Sequence, residues 1–91
     1  MRIVYTVWFR DGEALPDDPD GEWPACFVVD APSLEDGRSW GDHLARQYAT
    51  ASGQQFLHSE AEDVEDCKLP GIDQLPTVEF GREASRSQIG W

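Results

Sequence analysis

The chain has 91 residues, 40% hydrophobic and 11% aromatic, and a formal net charge of −11 from 18 acidic against 7 basic side chains. That length fits one domain able to bury roughly 60–65% of the surface its unfolded form exposes, and the apolar content excludes disorder along most of it. A chain this negative is repelled by phosphate backbones and anionic lipid, so nucleic-acid and membrane-surface binding are not expected, whereas metal ions or a basic protein surface would be attracted.

The first segment, RIVYTVWF (2–9), is β-branched and aromatic throughout and predicts a strand. Alternation sets Ile3, Tyr5, Val7 and Phe9 on one face, and Val4, Thr6 and Trp8 on the other. Both faces are largely apolar, so the strand is expected to be covered on both sides. The apolar run is too short, and too soon followed by Arg10 and Asp11, to span a membrane, and no small-residue cleavage site follows. The expectation is a cytoplasmic protein without an export signal, with Cys26 and Cys67 as reduced thiols.

Residues 11–22 mix glycine and proline with acids and predict a loop. A second strand is expected over 25–30, starting after Pro24, which cannot donate a ladder hydrogen bond. Ser33, with Asp36 three places on, marks a helix start resembling a capping box, and Gly53 marks its end. Over 33–51, Leu34, Gly37, Trp40, Gly41, Leu44, Ala45, Tyr48 and Ala51 fall within an arc of about 140°, opposite a charged arc. Arg38 with Asp42, and Asp42 with Arg46, stand at i,i+4 spacing. Gly37 and Gly41 on the apolar arc imply close approach to the sheet, with Trp8 or Phe27 filling the space.

A third strand is expected over 54–62, with Phe56 and His58 on the same face, and TVEF (77–80) can add a short edge strand. Residues 82–91 read as a polar tail. The order β-β-α-β(-β) argues for an α+β domain over 1–81: an antiparallel sheet of three to four strands with one amphipathic helix (33–51) across one face. The other face needs a cover, from the C-terminal segment or from a second copy in a homodimer.

Covalent chemistry lacks its usual parts. His43 falls on the charged helix arc, and His58 and Ser59, as strand neighbours, point to opposite faces and cannot work as nucleophile and base. Cys26 stands among apolar residues, where a thiol is inert. Zinc needs clustered Cys and His, and both types are scattered singly here. Asp18, Asp20 and Gly21 give only the end of a calcium loop: position 16 is proline where the first aspartate belongs, and no bidentate glutamate follows. The sequence therefore predicts no catalytic residues, no metal site and no cofactor.

What remains is two acidic clusters. Residues 17–22 supply Asp17, Asp18, Asp20 and Glu22 with Trp23 at the rim, and residues 60–66 supply Glu60, Glu62, Asp63, Glu65 and Asp66. Carboxylates beside a tryptophan suit a surface facing arginines or lysines. The expectation is a non-enzymatic protein-binding module of the immunity or inhibitor type, occluding a basic partner such as a nuclease toxin. The alternatives are a small structural or oligomeric domain whose acidity reflects its environment, and a weak divalent-metal binder.

Overall fold

The computed structural model describes residues 1–12, 21–68, 70–84 and 89. Strands β1 (Arg2–Asp11), β2 (Glu22–Asp30), β3 (Gln54–Asp63) and β4 (Thr77–Glu79) form one sheet in the order β3-β1-β2-β4, and helix α1 (Leu34–Ser52) packs on it. This is the expected α+β arrangement, with one change. β1 is antiparallel to both β2 and β3, but β4 runs parallel to β2, so the sheet is mixed. The reason lies in the connection: β3 and β4 are opposite edges, and residues 64–76 must carry the chain across before β4 starts beside Val28.

The hydrophobic alternation of β1 decides where the helix lies. Ile3, Tyr5, Val7 and Phe9 are all fully buried and join Phe27, Val29, Leu44, Ala45 and Ala49 in one cluster. Each of the valine, leucine, isoleucine and phenylalanine side chains among them contributes roughly 1.5–3 kcal/mol on burial. The expected helix face is largely kept, but Leu34 and Ala51 are exposed at its margins and Ala49 is buried instead. Ser33 caps the first turn by accepting the Asp36 N–H at 3.1 Å. Gly53 ends the helix in the left-handed region (φ 68°), where a side chain would be strained.

Gly41 carries the close approach. A Cβ there would lie 2.5 Å from the Tyr5 ring, and one at Gly37 would overlap the end of Ile3. Tyr5 and Ile3, rather than Trp8 or Phe27, fill the space the glycines leave.

Two strand details correct the sequence reading. β2 begins at Glu22, with Pro24 inside it. The bonds Val28 N–H to the Pro76 carbonyl and Phe80 N–H to the Asp30 carbonyl show that even-numbered β2 residues point away from β1. Pro24 thus sits where an N–H would face outwards, beyond the reach of the short β4. In β3 the register shifts between Trp8 and Phe9, so that Trp8 pairs with His58, Phe9 pairs with Phe56, and Leu57 is extra. That bulge turns Phe56 to the helix side, under the Arg46 guanidinium at 4.4 Å, and leaves His58 on the other.

The second sheet face is partly covered. Val4 and Val28 are buried yet lie outside the helix-side cluster, at the end of the sheet that the 64–76 connection crosses. Cys67 in that connection is buried, and Val64, Ile72, Leu75 and Pro76 are half-buried. Residues read as a tail also attach to the body. The Arg82 carbonyl accepts from the Trp40 indole at 3.2 Å, Ala84 packs on the core, and Ile89 is buried within it.

Candidate functional site

Away from that cover, the helix-free face is open. By register, Arg10 lies between Glu22 and Gln55, Trp8 between Pro24 and His58, Thr6 between Cys26 and Glu60, and Val4 between Val28 and Glu62. Burial falls along this stripe: Val4 and Val28 are closed off, Thr6, Cys26 and Trp8 are half-buried, and Pro24, His58, Glu22, Glu60 and Glu62 are exposed. The Trp8 indole stacks on the His58 ring with centroids 5.9 Å apart, and the Thr6 hydroxyl lies 3.5 Å from the Cys26 sulfur.

Charge on this face is one-sided. Strand alternation directs Glu22, Asp30, Glu60, Glu62 and Glu79 to it, against Arg2 and Arg10. Arg10 is held by Glu22 at 3.4 Å, Asp30 lies 3.6 Å from the N-terminal amine, and Glu79 pairs with Arg82 at 3.0 Å, which leaves Glu60 and Glu62 as the excess among the described residues. Glu60 and Glu62 alternate along β3 beside Val4 and Thr6, in a hollow whose one cation among the described residues, Arg38, is bonded to Ser59. The result is an aromatic platform flanked by carboxylates.

The acidic positions expected to act together are not all brought together. Asp17, Asp18 and Asp20 lie outside the described residues. Glu22 stands opposite Arg10 and Glu60 opposite Thr6, about 13 Å apart along the strand direction at ~3.3 Å per residue. Asp63 faces the helix side, and its carboxylate accepts the Glu65 N–H at 2.9 Å, which shapes the turn that presents Glu65 and Asp66 to solvent. Trp23 is half-buried against Phe9 and Tyr48, with its indole N–H donating to Gln54 at 2.9 Å. It is packed into the domain, and Trp8 is the tryptophan beside the open acids. Alternation had already placed Trp8 opposite the core face; only the β3 register brings Glu60 to its diagonal and sets Glu62 on the same face beyond it.

A second polar cluster occupies the seam between α1 and β3. The Tyr5 hydroxyl donates to Asp42 at 2.6 Å, and Arg38 donates to the Ser59 carbonyl at 3.1 Å and to its hydroxyl at 3.4 Å. These tertiary bonds engage the two residues expected to pair along the helix. Burial, reinforced by the neighbouring carboxylate, pushes the Tyr5 phenol well above its ordinary value and keeps it protonated. Ser59 faces a guanidinium, which has no lone pair to take a proton. The seam opens outwards as a groove of ≈ 740 Å³ lined by Leu34, Arg38, Asp42, His43, Arg46 and Ala61. His43 itself bonds Glu83 at 3.0 Å and stacks on Trp40.

Among the described residues, no three His, Cys, Asp or Glu side chains converge as metal ligands. No helix among them is long and apolar enough to cross a membrane. No family model matches the chain, and neither a curated protein nor a solved structure resembles it.

Proposed function

We propose that this protein is a non-enzymatic binding module that occludes a basic protein partner, in the manner of an immunity or inhibitor protein. The observation that carries this reading is the half-buried Trp8 on an open sheet face, with Glu22 and Glu60 at its diagonal positions and Glu62 further along β3. Aromatic side chains supply apolar contact with little conformational entropy to lose, and surrounding carboxylates steer and orient arginines or lysines. In the sequence, Asp17, Asp18 and Asp20 lead directly into Glu22. A nuclease toxin is the kind of partner this fits, since its substrate-binding surface must be basic.

The test compares immobilised wild-type chain with the double variant Glu60→Lys/Glu62→Lys in extracts of the source cells. One strongly basic protein should be retained by the wild type and lost from the variant. Equal retention on both would remove these carboxylates from the interface.

A second reading has one observation in its favour. Glu35, Asp36, Glu83 and Asp73 lie outside this face, so acidity is also distributed elsewhere. A structural domain adapted to high salt accounts for that distribution, and predicts stability that rises with molar KCl without any basic partner.

A further inference from the structure

We infer that the outer edge of β3 accepts an extended, Lys- or Arg-bearing segment of the partner as a fifth strand. This rests on the proposed reading of a basic protein partner and adds the way it is held. β3 is a 10-residue edge strand, whereas the opposite edge is shared by the 3-residue β4 and the outward-facing Pro24.

The ladder fixes which groups of β3 are on offer. Val64 N–H bonds the Arg2 carbonyl, so residues 60, 62 and 64 point towards β1 and residues 59, 61 and 63 point outwards. The Ser59 carbonyl is held by Arg38, and the Asp63 carbonyl accepts from Asp66 and Cys67. Among the described residues, that leaves the N–H and C=O of Ala61, flanked by the N–H groups of Ser59 and Asp63, as the free docking register.

Both sides of this edge are hollow. On one side is the α1 groove of ≈ 740 Å³ that includes Ala61, and a second hollow of ≈ 390 Å³, lined by Val4, Thr6, Arg38, Ser59, Ala61 and the two glutamates, wraps the same strand. An added strand sends alternate side chains into each. On the helix-free side they meet Glu60 and Glu62, two carboxylates against Arg38, which is already bonded to Ser59, and this excess selects cations. A second copy is a poor occupant: antiparallel self-pairing about Ala61 would set Glu60 of one chain against Glu62 of the other, a like-charge pair that destabilises the ladder.

The probe is a blocked peptide of alternating lysine and valine, matched to the length of β3, titrated into the isotope-labelled full chain and followed by backbone amide shifts. Saturable binding should shift the Ser59, Ala61 and Asp63 amides and slow their exchange. The same peptide N-methylated at alternate residues keeps its charge but loses ladder donors, and should bind at least roughly tenfold more weakly. Ala61→Pro, at a position whose N–H points outwards, should weaken binding similarly while keeping the fold. If both peptides bind alike, or the shifts centre on Trp8 and His58, strand addition is overturned while the acidic binding face stands. If neither peptide binds at about 1 mM, where even weak complexes register, the edge is not a docking site. Sedimentation of the free chain as a dimer lost in Ala61→Pro would assign the edge to a second copy and also overturn the proposal.

Discussion

The hydroxyl of Tyr5, at the centre of β1, donates a 2.6 Å hydrogen bond to the carboxylate of Asp42 on the helix. A fully buried ring thereby ends in a charged acceptor at the α1–β3 seam, and the sheet is pinned to the helix at one defined register. Removing the hydroxyl in Tyr5→Phe should cost about 1.5–3 kcal/mol, the range for a hydrogen bond to a charged group, read from urea unfolding with an unchanged m-value.

The same bond gives a pH signature. The Tyr5 phenol is raised in the folded state, so its contribution is fully present below the unfolded phenol value of about 10 and is lost as pH climbs above it. Wild-type stability should fall across that alkaline window more steeply than that of Tyr5→Phe. Parallel curves for the two proteins would show that Tyr5 is not the group responsible.

Gly41 and Gly37 should respond differently to alanine. A methyl group at Gly41 meets the Tyr5 ring, which is held by Phe27 at a centroid distance of 5.0 Å and by Asp42. Overpacking of this kind costs about 1–3 kcal/mol. At Gly37 the new methyl meets the rotatable terminal methyl of the buried Ile3, and the helix gains ~1 kcal/mol from replacing glycine, which offsets the shift. Gly37→Ala should therefore be near neutral in thermal unfolding while Gly41→Ala lowers the midpoint by several degrees.

The two tryptophans of the β1–β2 pair should separate stability from binding. Trp23→Ala removes a ring packed on Phe9 and Tyr48 and a satisfied indole N–H, and should cost about 3 kcal/mol or more. Trp8→Ala removes a half-buried ring stacked on exposed His58, should cost less than half as much, and should abolish partner retention. Retention unaffected by Trp8→Ala would move the interface off this face.

Where the sequence was legible, a local rule decided the outcome. Apolar alternation in Ile3, Tyr5, Val7 and Phe9 determined the helix-facing side of β1, and Ser33 and Gly53 marked both helix ends through capping chemistry. Non-local geometry was not legible. The parallel entry of β4 follows from how 64–76 crosses the sheet, and the bulge at Leu57 separates Phe56 from His58, which simple alternation places together. The acidic positions were visible as composition, but which of them share a face depends on the β1–β3 register. That register puts Glu60 diagonal to Trp8, with Glu62 one step further along the same face, and leaves Trp23 to the core.

The most direct test is the association rate of the retained basic partner, measured by stopped flow from about 50 to 500 mM NaCl, a range over which the screening length shrinks roughly threefold. The rate should fall by at least tenfold across this range, as expected for steered encounter, and Glu60→Lys/Glu62→Lys should be slow and nearly insensitive to salt. A wild-type rate independent of salt, together with unfolding free energy that climbs in molar KCl, would contradict the binding account and assign the acidity to the protein's surroundings.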